Sequence, residues 1–343
     1  MVAQALVRKH PCLKEAGSDN GWNGWKNTIK FKMGNYRTKM RRAGCQEVAV
    51  NAGKRSRKKP ENEPSHSNIK RPKPAEVNFL PNFPQGEDPS SLDLLRQAIV
   101  EEVKKTERNL PLISKIMQNT FALRRQTIGM SCPPVKELMD LWPALHMQSE
   151  VYAEFQRITN QNLPNTYYTE LDRHTPRLMT LFRQKASKTG KTADALADIF
   201  KVYDTQELHD VHTRRTIVLH ALPVYLREEV SGFFRTCVDD MDEPDLGDAS
   251  VVLLTTVSDD ATSPVHYHPA RVFVVLEGDV VVNLPRLADA FVVMFGLIYA
   301  LHLSYPKGLT NTFEFTQKIL LGLDDSKLSP KLQTLKNDLM LYV

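Results

Sequence analysis

The chain has 343 residues, 41% of them apolar and 25% charged. That is enough for one large or two small folded domains with a real core. Its four cysteines, Cys12, Cys45, Cys132 and Cys237, are far apart and form no C-x-x-C pair, which excludes a disulfide framework or a zinc-ribbon spacing and fits a reducing compartment. The net charge of +5 hides an asymmetry: residues 1–77 carry 18 Lys/Arg against 6 Asp/Glu, net +12, and the rest carries 27 against 34, net −7. A basic front on a mildly acidic body points to an arm that faces a polyanion.

The first residues, MVAQALVRKHPCL, contain no long apolar run, so a secretory signal is not expected. Residues 22–43 are the first patterned segment. Trp22, Trp25, Ile29, Met33, Tyr36 and Met40 are spaced 3, 4, 4, 3 and 4 apart, one face of a helix. Lys26, Lys30, Lys32, Arg37, Lys39, Arg41 and Arg42 fill the same stretch, and no acidic residue occurs between Asp19 and Glu47. The expectation is a basic amphipathic helix within residues 1–49. Its cations would contact nucleic acid or an acidic partner. The rival reading is a small helical subdomain with Trp22, Trp25 and Tyr36 as its core.

Residues 50–77 are rich in Pro, Lys, Ser and Asn and nearly lack large apolar groups. Such a composition cannot bury a core, so a disordered linker is expected. It holds two basic clusters, Lys54, Arg55, Arg57, Lys58, Lys59 and then Lys70, Arg71, Lys73. An extended chain can lay two such clusters into two acidic sites of an import receptor, so they are read as a bipartite nuclear localisation signal. A cytoplasmic chain with a merely solvated linker is the alternative.

Residues 78–343 form the globular part. SSLDLLRQAIVEEVKK begins with capping residues and repeats Leu92, Leu95, Ile99 and Val103, a helix. Further helices are expected at 110–127, 133–141, 147–159, 165–187, 191–203 and 206–221. After Pro223 come the β-branched runs 251–258, 271–277 and 279–284, the last two joined through Gly278 as a hairpin. Helices at 286–304, 309–323 and 329–342 close the chain. The fold class is therefore α+β and mostly helical: a helical body with a small, mostly antiparallel sheet, a hairpin around Gly278 and C-terminal helices. The segment 287–303 is apolar for 17 residues but contains Asp289 and His302. A membrane span needs about 20 apolar residues, so a buried helix is expected instead, with no membrane partner.

Motifs for chemistry are sparse. PVHYHPARVFVVLEGDVVVNL starts like the first motif of a metal-binding cupin, with His266 and His268 in place. The carboxylate expected three or four residues on falls at Val272 or Phe273, Glu277 sits at the turn, and a long apolar helix replaces the later strand and its His. A three-His, one-carboxylate shell cannot be completed, so no metal and no cofactor is expected, and His266 and His268 are read as strand-edge residues. His209 and His212 have i, i+3 spacing and are read as a solvated helix face. No P-loop, G-x-S-x-G or G-x-G-x-x-G occurs.

Several long strings carry a family likeness: MQSEVYAEFQRITNQNL (147–163), LDRHTPRLMTLFR (171–183), HTRRTIVLHALPVYL (212–226), VVLEGDVVVNL (274–284) and FGLIYALHLSYPKGLTNTFEFTQKILLGLD (295–324). With residues 10–48 they resemble a vertebrate family expanded in fishes, sterile alpha motif domain-containing protein 3-like. The resemblance runs over nearly the whole chain and implies no catalytic residues. Some relatives carry an N-terminal sterile alpha motif. Here 21 residues precede Trp22, too few for that helical bundle, and the motif itself is not expected. Taken together, these readings describe a non-enzymatic nuclear binding protein with a protein-interaction body whose partner the residues do not name. The alternative is an enzyme with an unrecognised site in residues 78–343, for which His174, Arg214, Arg215 and His220 are the candidate groups.

Overall fold

The computed structural model describes residues 2–14, 21–22, 25–26, 28–29, 32–33, 80–238, 250–258, 263–324 and 326–340. The chain divides into two units, residues 1–63 and 64–343.

In the first unit α1 spans Val2–Lys9 and is followed by a 3₁₀ turn, Pro11–Leu13. Trp25, Lys26, Thr28, Ile29, Lys32 and Met33 are helical. The Lys26 amide bonds the Trp22 carbonyl at 3.0 Å, the i to i−4 step of a helix. Trp25 Nε1 donates to the Leu13 carbonyl at 2.8 Å, which ties the 3₁₀ turn to this segment.

The second unit is built mostly of helices. Helix α2 (Pro89–Lys104) starts at a capping box: Asp88 accepts from the amides of Ser90 and Ser91, and Ser91 Oγ accepts from the Asp88 amide. Then come α3 (Leu110–Asn119), α4 (Phe121–Ser131), α5 (Val135–Leu141), α6 (Gln148–Thr159), α7 (Leu163–Ala186), α8 (Lys191–Asp204) and α9 (Val211–Tyr225). The single helix expected at 110–127 is two. Thr120 leaves helical geometry (ψ 6°), and its hydroxyl turns back onto the Ile116 carbonyl at 2.7 Å. Helix α9 begins later than position 206, because Asp210 caps it by accepting from the Thr213 amide at 2.7 Å.

The sheet has the order β1 (Phe234–Val238), β2 (Val251–Val257), β3 (Arg271–Leu276), β4 (Asp279–Leu284). Strands β2–β3 and β3–β4 pair antiparallel, as expected, while β1 joins β2 in parallel. Strand β1 was not foreseen. The β3–β4 hairpin turns on Glu277 (φ 53°) and Gly278 (φ 88°), the positive-φ pair a tight twisted hairpin needs. Along β2, Val251 and Leu253 face the main core, and Val252 and Leu254 join Val275 in a small cluster on the other face.

Helix α10 (Leu287–Ala300) is the centre of the body. Every residue in it except Asp289 is buried. It packs mainly on α6 and also on β2, β3 and β4. Beyond it lie α11 (Thr310–Phe315), a π-helical turn (Thr316–Leu320) and α12 (Pro330–Met340). The helix expected at 309–323 therefore changes register midway, where buried Gln317 accepts from the Tyr305 hydroxyl at 3.0 Å. Among the described residues there are twelve α-helices and one four-stranded mixed sheet, a mostly helical α+β fold. No described helix is long and apolar enough to cross a membrane.

Candidate functional site

Of the basic residues singled out in the N-terminal segment, Lys26 and Lys32 are exposed, and Lys26 Nζ lies 5.9 Å from the centroid of the Trp22 ring, a cation–π distance. Lys30, Arg37, Lys39, Arg41 and Arg42 lie outside the described residues, as do Lys54, Arg55, Arg57, Lys58, Lys59, Lys70, Arg71 and Lys73.

In the body, the strongest candidate is a cleft around residues 263–269. His266 and His268 are not at a strand edge. They sit in the irregular segment before β3, which starts only at Arg271. Pro264 and Pro269 bracket this segment and keep it out of the ladder. Two adjoining hollows share His266, Tyr267 and His268. The first, about 280 Å³, is closed by the end of α8 and the end of β2. The second, about 290 Å³, is lined by Asp210, His212, Thr213 and Thr216 from the start of α9 and by Pro285, Arg286, Leu287 and Ala288 at the entry to α10.

Local chemistry explains how these side chains stand. The Asp210 carboxylate is used by the helix cap, accepting from the Thr213 amide and hydroxyl, and these bonds hold its pKa below the usual carboxylate range. His209 lies before α9 and stacks on Tyr203, ring centroids 4.2 Å apart. It therefore does not share a helix face with His212. Tyr267 packs near Tyr203. Burial, then the neighbouring Tyr203 and Asp204, push the Tyr267 hydroxyl pKa upward, and that buried hydroxyl has no hydrogen-bond partner among the described residues.

Thr216 is 7% exposed, and no described residue hydrogen-bonds its hydroxyl. Arg286 is exposed, and no described acidic side chain pairs with it. It occupies the N-cap of α10 in extended geometry without a side-chain cap. Its neighbours Leu287 and Ala288 open the helix, where the partial positive charge of the macrodipole is concentrated. The cleft thus gathers Arg286, three imidazoles, a buried hydroxyl and a helix start. Its one carboxylate is already occupied. Among the described residues, no group of three His, Cys, Asp or Glu is placed to hold a metal ion.

The four polar groups of the enzyme reading do not meet. Arg173 Nη2 donates to His174 Nε2 at 3.0 Å. Arg214 Nε donates to the His209 carbonyl at 3.1 Å. Arg215 pairs with Asp172 through two bonds and lies 4.0 Å over the Tyr168 ring. His220 packs against Phe234 with centroids 4.5 Å apart. Part of its edge stays accessible, but dense packing dominates, and burial followed by the nearby His266 pushes its pKa down to about 3. Sequence reasoning missed Thr216, Tyr267 and Arg286. The one available signal was the string N-L-P-R-L, a helix entry with no Ser, Thr, Asp or Asn at its cap.

Fold and cleft define a mostly helical α+β protein with a candidate binding site around Arg286 and three histidines. Residues 92–147, from α2 into the 3₁₀ turn before α6, match the model of the sterile alpha motif domain-containing protein 3 helical domain. Sterile alpha motif domain-containing protein 3 of Homo sapiens is 22% identical over 340 residues, 98% of this chain. The chain spans 60% of that relative's length. The chain is thus similar to sterile alpha motif domain-containing protein 3 over nearly its whole length. No solved structure matches it.

Proposed function

We propose that the chain is a non-enzymatic nuclear binding protein. The basic segment within residues 1–49 contacts nucleic acid or an acidic partner, and the body is a protein-interaction module. The charge division carries the first part: net +12 on residues 1–77 against −7 on the remainder. A polyanion is attracted to such a segment whatever its sequence, because each Lys or Arg that meets a phosphate releases a counterion. The exposed Lys26 and Lys32 and the aromatic Trp22 are the combination used on single strands, cations for the backbone and rings for the bases. The body reading draws on the match to a helical domain of its relative and on the cleft around Arg286.

Nuclear entry is tested with a fluorescent reporter fused to residues 50–77. It accumulates in the nucleus, and replacing Lys54, Arg55, Arg57, Lys58 and Lys59 with Ala returns it to the cytoplasm. A wild-type fusion spread evenly through the cell contradicts the proposal and favours the cytoplasmic alternative.

A further inference from the structure

The cleft at the start of α9 and α10 has a chemistry of its own. Its outer cation, Arg286, meets no described carboxylate. His212 at the start of α9 and His268 before β3 line the same wall. Behind them Thr216 is more than nine-tenths buried, and its hydroxyl has no hydrogen-bond partner among the described residues. Solvent still reaches that hydroxyl, so a group entering the hollow can accept its hydrogen bond. Leu287 and Ala288 bring the uncapped start of a 14-residue helix to the same wall. The only carboxylate in the lining, Asp210, is turned to its own helix. On either side of Asp210 in the chain, Leu208 (69% exposed) and Val211 (41% exposed) are apolar and exposed.

We infer that this cleft docks an acidic peptide of a partner protein. A Glu or Asp carboxylate enters between Arg286, His212, His268 and Thr216, and an apolar neighbour rests on Leu208 and Val211. The inference rests on the reading of the body as a protein-interaction module and names that partner's chemistry. The carboxylate accepts from the Arg286 guanidinium and the Thr216 hydroxyl, bonds of the charge-assisted kind. The geometry favours a peptide over a longer polyanion. The hollow is about 290 Å³, room for one or two side chains, and Leu208 and Val211 flank its Asp210 in the chain.

The test uses the full chain and a short fluorescent peptide alternating Glu and Leu that carries a photo-reactive group. Cross-linked sites are mapped by mass spectrometry, so capture by the basic segment is separated from capture by the cleft. The expected labels fall on residues 208–216, 263–269 and 285–288. A Gln-for-Glu peptide leaves them unlabelled. Combining Arg286→Gln with Thr216→Val weakens labelling there by about tenfold or more, the worth of one or two charge-assisted bonds. The melting temperature stays unchanged, because one site is exposed and the other change is isosteric.

Three results overturn the inference: cleft labelling equal with the Gln peptide, cleft labelling equal in the double variant, or cleft labelling displaced by single-stranded RNA but not by unlabelled Glu peptide. Labels confined to residues 1–77 overturn both this inference and the module reading for acidic peptides. Labels on the body but away from the cleft overturn the cleft assignment and leave the module reading standing.

Discussion

Arg124 and Glu154 are both fully buried and meet through two bonds, Nε to Oε1 at 2.8 Å and Nη2 to Oε2 at 2.5 Å. Arg157 adds a third bond to Glu154 at 2.8 Å and reaches Glu150 at 3.3 Å. Burial alone would raise the Glu154 pKa. The attraction and hydrogen bonds of Arg124, then those of Arg157, outweigh it and hold the carboxyl below its ordinary value of 4.5. A carboxyl depressed on folding stabilises the protein above its unfolded pKa, and that stability is lost as pH falls through the folded value. Acid unfolding should therefore steepen below about pH 4.5. Glu154→Gln should cost about 3–5 kcal/mol at neutral pH, since it leaves Arg124 buried without its counter-charge. It should also flatten the acid limb, and chemical denaturation at a series of pH values checks both effects. The string FALRRQT gives no hint of this. Only packing against α6, thirty residues on, buries Arg124. Gly296 was more legible. A glycine in mid-helix fits a close neighbour, and a Cβ there would stand 2.8 Å from Val151 Cγ1 and 3.2 Å from Leu163 Cδ2. Gly296→Ala gains about 1 kcal/mol of helix propensity but overpacks a stiff β-branched side chain. The expected net loss is about 1–2 kcal/mol, recovered by adding Val151→Ala. A Gly296→Ala chain more stable than the wild type contradicts that contact.

At the scale of elements, the long apolar segment 287–303 was readable because an all-apolar helix has only protein or lipid to hide in. The structure buries Phe291, Phe295, Ile298 and Leu301 as expected, though the main partner of α10 is α6 rather than the sheet alone. Phe295 sits among Phe155, Tyr299, Tyr305 and Phe313, with ring centroids 5.3 to 6.3 Å away. Phe295→Ala should cost about 3–5 kcal/mol, a large part of a domain's total of about 5–15 kcal/mol. Intact stability with lost partner binding would make α10 a docking surface. The hairpin was equally plain, because Glu-Gly-Asp between two β-branched runs meets a turn's backbone needs locally. Strand β1 was invisible for the opposite reason. FRTCV has no apolar run, and it becomes a strand only through the β2 partners Leu253 to Val257, distant in sequence. The break at Thr120 and the π-helical turn at Thr316 likewise follow from side-chain bonds that a periodicity does not encode. The cleft shares this origin. His266 and His268 drew the eye through a motif they do not complete, while Thr216 and Arg286, on separate elements, belong to no pattern.

For the whole molecule, the proposed function is a division of work: a cationic front for polyanions and a packed, mildly acidic body for protein. The division is a statement about charge, and charge is read by salt. The most direct measurement is the affinity of the full chain for a labelled DNA duplex over a range of salt concentrations. The wild type should lose about 0.9 log units of affinity per log unit of salt for each phosphate it neutralises. Replacing Lys26, Lys30, Lys32, Arg37, Lys39, Arg41 and Arg42 with Ala should lower both affinity and slope, the slope by several such units. Binding that ignores salt, or a slope that those seven changes leave intact, would contradict the account and turn the segment into an aromatic docking stripe built on Trp22 and Trp25.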